Sequence, residues 1–335
     1  MKSIESQRAD SRKRICVIFP GALGDFICLL PALGILARSA AVEVFARSEF
    51  AEIAPAGVVV ASLERPEISK LFRPESVDDA QVQRFFRAYD AVYSWLASRD
   101  TELILRLEVI SGGRAQVFPF RPADAQGHQA DYYLSCLRHL AGSSAQPRVA
   151  LHAEAICWAD SFWVRHSLQR CRVLAVAPGS GAREKNWPAD FFRAVSRWWR
   201  QEIGGTVLLI LGPVEQERGG SELLQNDCVV ARGLRLAQTA ALLARCDLYL
   251  GNDSGISHLA AALGVRTLAV FGPSDARRWE PRGQKVNVLR RAIDCSPCQE
   301  PTMKACPHRA CLTGLHPEEI ITMLANLPEV LTLTR

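Results

Sequence analysis

Gly251-Asn252-Asp253-Ser254-Gly255-Ile256-Ser257-His258-Leu259-Ala260-Ala261-Ala262-Leu263-Gly264 follows a short apolar run at 248–250 and leads into a helical pattern over 257–263 that Gly264 stops. A strand that ends in a glycine-containing turn and opens a helix is the unit from which parallel α/β sheets are built. Free N–H groups and the positive dipole end at such a helix start favour a phosphate. Gly255 lets a ligand approach the backbone, Ser254 and Ser257 offer hydroxyls, and His258 falls in the first helical turn. The competing reading is structural: Asp253 and Ser254 cap the helix and His258 is a buried side chain.

The same alternation extends in both directions. Strands are expected at 15–19, 42–46, 58–61, 91–94, 173–177, 206–211, 248–250 and 267–271, and helices at 26–37, 131–141, 188–202, 234–246 and 257–263. In open α/β sheets ligands bind beyond the carboxyl ends of the strands. The strands ending at Ala177, Leu250 and Phe271 all run into glycine-containing loops. The division expected is 1–150 and 151–335, with a linker candidate in the small-residue stretch 142–147.

Composition narrows the class. Of 335 residues 48 % are apolar and 22 % charged, and 40 Lys plus Arg against 35 Asp plus Glu give +5. That is an ordinary globular make-up, too weakly basic to argue for nucleic acid. Residues 1–14 hold Lys2, Arg8, Arg12, Lys13 and Arg14 against Glu5 and Asp10. This reads as a solvated tail or as a weak attraction to anionic lipid. The apolar stretch 15–37 imitates a membrane span, but Asp25 in its middle, with Pro20, Gly21, Gly24 and Pro31, fits a strand, a turn and a helix. Eleven cysteines, seven of them scattered, suit a reducing compartment, and a cytoplasmic protein is expected.

Three further segments carry candidate chemistry. Pro178-Gly179-Ser180-Gly181-Ala182-Arg183-Glu184-Lys185-Asn186-Trp187-Pro188 is a small-residue loop followed by cations, suited to a diphosphate. Lys185 would stabilise charge on a departing nucleotide, and Trp187 is either a base-stacking surface or a core residue. Glu215, just after the strand at 206–211, has the position of a carboxylate that accepts ribose hydroxyls, or of an ordinary charged helix start. Gly21-Ala22-Leu23-Gly24-Asp25 follows the first strand and is neither a Rossmann fingerprint nor a P-loop. Its Asp25 is a helix cap or a general base.

In this order and at these separations, the segments resemble glycosyltransferase family 9, the heptosyltransferases that build the inner core of lipopolysaccharide. The resemblance covers most of 15–325, is dense in the second half and thin between 45 and 120. It rests on Gly21–Asp25 with Pro31-Ala32-Leu33, on 178–188, on 251–264, and on Phe271-Gly272-Pro273-Ser274 with Trp279-Glu280-Pro281. It implies the GT-B fold, two Rossmann-like α/β domains whose parallel sheets face across a cleft. The first would be the acceptor side and the second the nucleotide-sugar side. It implies an inverting, metal-independent transfer with ADP-heptose as the usual donor, no cofactor, and a lipopolysaccharide-type glycolipid as acceptor at the cytoplasmic face of the inner membrane. By position, Asp25 becomes the base and Lys185 the donor-phosphate contact. Gly24, Ser180, Gly181, Trp187, Asp253, Ser254, Gly255 and His258 line the donor pocket. Glu215 contacts the nucleoside, with Glu217 as the alternative. An epimerase or hydrolase of the same fold, or a non-catalytic sugar-nucleotide binder, would use a similar pocket.

Four thiols crowd into Cys295-x2-Cys298-x7-Cys306-x4-Cys311. They have the number for a structural zinc but lack the second C-x2-C, which leaves reduced, packed thiols as the other reading. A final helix is expected over 312–324.

Overall fold

The computed structural model describes residues 12–122, 127–137, 146–212 and 228–327. Most of the basic tail, 1–11, the interior of the linker candidate, 142–145, and both Glu215 and Glu217 lie outside the described residues. The chain divides into two compact units, Met1–Ala150 and Leu151–Arg335.

The first unit runs β1 (Lys13–Ile18), α1 (Leu23–Ser39), β2 (Ala40–Ala46), β3 (Val58–Ser62), α2 (Ala80–Arg87), β4 (Ala91–Ser94), α3 (Thr101–Ser111), β5 (Ala115–Val117) and α4 (Gln129–Cys136). Its sheet has the order β3-β2-β1-β4-β5 and is parallel throughout. The stretch that imitates a membrane span is β1 followed by α1. Residues 25–33 of α1 are buried without a break. A helix apolar all round belongs in a core, here between the sheet and α4. It continues through Pro31, which forfeits one backbone hydrogen bond. Among the described residues no helix is long and apolar enough to cross a membrane.

The second unit runs α5 (Ala153–Arg165), β6 (Val173–Ala177), α6 (Ala189–Glu202), β7 (Thr206–Leu211), β8 (Val229–Arg232), α7 (Leu236–Leu243), β9 (Leu248–Asn252), α8 (Gly255–Ala262), β10 (Arg266–Phe271), β11 (Val286–Arg290) and α9 (Pro317–Ala325). The order is β11-β10-β9-β6-β7-β8, again all parallel. Every residue of β6 and β9 is buried, as expected for central strands covered on both faces. The expected final helix is interrupted. Ala310–Thr313 forms one turn, and α9 starts afresh at Pro317, which suits a first helical position. Ile320 and Leu324 of α9 join Leu174, Val176, Phe192 and Trp199 in the core.

In both sheets chain order reverses at one point, between β1 and β4 in the first and between β6 and β9 in the second. The loops leaving the two strands at a reversal diverge to opposite faces and open a crevice. The Gly21–Asp25 turn leaves β1, and the segments beginning at Pro178 and Asp253 leave β6 and β9.

Trp187 sits under the second crevice. It is 2 % exposed, its Nε1–H donates to the Leu315 carbonyl at 2.9 Å, and its ring meets Phe191 and Phe192 edge-on. Trp187→Ala is expected to lower the unfolding free energy of this unit by about 3–5 kcal/mol. Trp187→Phe, which orphans the Leu315 carbonyl, should cost about 1–3 kcal/mol. Urea titrations of both variants check this, and an unchanged midpoint for Trp187→Phe would remove the hydrogen bond from the account.

Candidate functional site

The second unit's site is assembled around one amide. Asn252, the last residue of β9, has no exposed surface. Its Oδ1 accepts the Trp187 N–H at 2.9 Å and its Nδ2 donates to the Pro178 carbonyl at 2.6 Å. Both ends of the 178–187 loop are therefore tied to the end of β9. The Asn252 carbonyl in turn accepts the Ser257 hydroxyl, which also lies 3.0 Å from Tyr249 Oη. A Cβ at Gly251 would collide with the Tyr249 ring and hydroxyl, which fill the space beside residue 251.

With the loops so fastened, Lys185 reaches Asp253, Nζ to Oδ2 at 2.7 Å. The ammonium is 29 % exposed and the carboxylate 8 %. The two capping candidates separate: Ser254 is the N-cap of α8, its Oγ accepting the Ser257 N–H at 3.4 Å, while Asp253 is given to Lys185. Ser254 and Gly255 are half-buried at the helix start, and His258 is buried in its first turn. The first N–H groups of α8 have no acceptor inside the helix, which is the geometry that receives an anion.

In the 178–187 loop, Ser180 Oγ lies 2.6 Å from the Ala182 carbonyl and 2.7 Å from Asn186 Oδ1. Its single proton serves one acceptor at a time. A Cβ at Gly181 would meet nothing within 4 Å, so protein packing does not require glycine and space lies open beside the backbone. Trp187 is a correction: it is a core residue, with no ring face available for a nucleobase.

In the first unit Gly24 and Asp25 fall in the first turn of α1. Asp25 is 4 % exposed. Its Oδ2 accepts the Ala22 N–H at 3.1 Å, so it does serve the helix start. Arg121 Nη2 also reaches it, 3.3 Å from Oδ1 and 3.1 Å from Oδ2. Burial, and then the Asp25 carboxylate, push the nearby Tyr133 phenol far above its ordinary range, so Tyr133 stays a neutral hydroxyl. Gly21 is required, because a Cβ would strike both Phe19 and Asp25.

The zinc reading of the cysteine cluster finds no assembled site: among the described residues no three Cys, His, Asp or Glu side chains are placed to share a metal ion. Cys295 is exposed, Cys298 Sγ donates to the Cys295 carbonyl, and Cys311 is buried in the second unit's core. Burial, then neighbouring thiols, push Cys298 and Cys311 up, which keeps them protonated.

Sequence reasoning missed Asn252 and Arg121. An amide closing an apolar strand, where asparagine is disfavoured, was the available signal for the first. Arg121 had none, since 96 residues separate it from Asp25.

Residues 155–307 match the family model described as glycosyltransferase family 9 (heptosyltransferase). Lipooligosaccharide heptosyltransferase 2 of Campylobacter jejuni is 29 % identical over 166 residues, 47 % of this chain and 51 % of that protein. The chain thus spans about half the length of the curated relative it matches. Among solved structures, the family 9 glycosyl transferase of Veillonella parvula superposes with a TM-score of 0.72 at 22 % identity, over 96 % of this chain and 97 % of that one. Escherichia coli ADP-heptose lps heptosyltransferase II gives 0.71 at 20 % identity, over 95 % and 99 %. These likenesses carry the fold, the GT-B type with two parallel-sheet units.

Asn252→Ala is expected to lower stability by about 1–3 kcal/mol through the Trp187 N–H and Pro178 carbonyl it leaves unpaired. Differential scanning fluorimetry reads the effect, and a wild-type melting temperature would show that the amide is no staple. Over residues 155–307, a little under half of its length, the chain is similar to glycosyltransferase family 9, and it has heptosyltransferase relatives.

Proposed function

We propose that the protein transfers a sugar, heptose from ADP-heptose, to a hydroxyl of a lipopolysaccharide-type glycolipid, with inversion and without a metal ion. The observation that carries this reading is the Lys185 ammonium held beside the start of α8 at the strand-order reversal. The acceptor oxygen attacks the anomeric carbon as the bond from that carbon to the diphosphate breaks. Asp25 takes the hydroxyl proton, and the electron pair leaves with the nucleoside diphosphate. Lys185 and the N–H groups opening α8 stabilise the charge that develops there. Ser180, Gly181, Asp253, Ser254, Gly255 and His258 line the donor pocket in this reading, Glu215 contacts the nucleoside, and the first unit takes the acceptor. The reaction is placed in the cytoplasm at the membrane face, where the basic N-terminal stretch would be attracted to anionic lipid.

A thermal-shift screen against ADP-, GDP-, UDP- and dTDP-sugars, ADP-heptose included, tests the donor. Ligand at about 100 times its Kd stabilises by about 2.7 kcal/mol. A response to ADP and ADP-heptose is expected. A response to another nucleotide alone removes the heptose, and none at all removes the donor pocket.

With donor and acceptor in hand, Asp25→Asn is expected to lower kcat by about 10²–10⁴-fold, and Lys185→Met by about 10²–10³-fold. Activity should survive EDTA. Donor turnover that needs no acceptor would convert the assignment to a hydrolase or epimerase.

A further inference from the structure

Asp25 is a carboxylate with 4 % of its surface exposed, and burial alone favours its protonated, inert form. Arg121 is the cation that meets it, and its setting is constructed. The backbone ahead of it is pinned by α4: Gln129 Nε2 donates to the Phe120 carbonyl at 3.1 Å, and Tyr132 Oη donates to the Pro119 carbonyl at 2.6 Å. The Phe120 ring packs edge-on against Phe19, the residue that follows β1. The Arg121 guanidinium then folds back over the Phe120 ring, 5.1 Å from its centroid, and ends on both oxygens of Asp25. A side chain 55 % exposed gains little from a surface ion pair as such. Here its partner is buried, and three separate contacts aim it there.

We infer that Arg121 is the positioning residue of the base: it holds the Asp25 carboxylate ionised and fixes its orientation for the acceptor hydroxyl. This rests on Asp25 being the base of the proposed reaction. Groups that face Asp25 include Arg121 from the 119–122 segment, the neutral Tyr133 from α4 and the Ala22 N–H. Arg121 alone among them is a cation. Without it burial is opposed less, so the carboxylate binds its proton at higher pH and the basic form is lost from the acid side upward.

The test compares wild type, Arg121→Gln and Arg121→Lys as full-length protein. Carboxyl-carbon NMR, assigned with Asp25→Asn, follows the titration of Asp25. Steady-state kinetics across pH gives kcat and the acceptor KM separately. Arg121→Gln is expected to move the Asp25 titration, and with it the acid limb of kcat, upward by about one to three pH units. Activity should therefore fall about tenfold or more at pH 6 and far less at pH 8, with acceptor KM within about twofold. Arg121→Lys restores the charge but not the two-oxygen contact, and should recover part of the loss. An unmoved titration overturns the inference. So does a raised acceptor KM with kcat unchanged, which would make Arg121 an acceptor contact only. An unchanged melting temperature and nucleotide response in the variants separate either result from misfolding. Should wild type transfer no sugar, the proposed reaction fails while the NMR titration still decides whether Arg121 governs Asp25.

Discussion

The second unit's chemistry depends on a single buried amide at a reversal of strand order. Strands β6 and β9 are neighbours in space but 70 residues apart in the chain. Their loops would diverge without a cross-tie. Asn252 uses both faces of its amide to fasten one loop while its carbonyl engages the helix that leaves the other. A buried polar group is tolerated when its hydrogen bonds are made, and it then specifies geometry that apolar packing does not. Lys185 and Asp253 meet at 2.7 Å because the backbone on both sides of them is already set.

The first unit reaches a comparable end by other means. Its reversal lies between β1 and β4, and the carboxylate beside it is held by a helix-start N–H and by an arginine delivered from beyond β5. An aromatic cluster of Phe19, Trp95, Phe120 and Tyr133 fixes the ground on which that arginine stands. Stacking and edge-on contacts are directional, so a cluster of this kind positions as well as buries.

How much of this was legible follows from how each element is covered. The central strands β6 and β7 read to the residue, because burial on both faces writes an unbroken apolar run. The edge strands β5, β8 and β11 were missed: Ala-Gln-Val is three residues long, and Val-Asn-Val-Leu-Arg is half exposed with a polar residue inside. Helix α3 was missed since Leu105 and Val109 are apolar yet exposed, which blurs its period. At the site, residues close to a strand end were visible as motifs. Lys185 with Asp253 and Arg121 with Asp25 are pairs made by the fold across 68 and 96 residues, and local spacing records neither. Trp187 shows the opposite limit, since a tryptophan beside a glycine loop reads the same whether it faces a base or the core.

Each unit closes its own core: the second around Trp187, Phe192 and Trp199, the first around Phe45, Phe86 and Leu107. Substitutions in one core are therefore not compensated by repacking in the other. The two halves can diverge at different rates, and the family match at 155–307 falls inside the second unit. A protein organised in this way can retain the site of one half while its other half is rewritten.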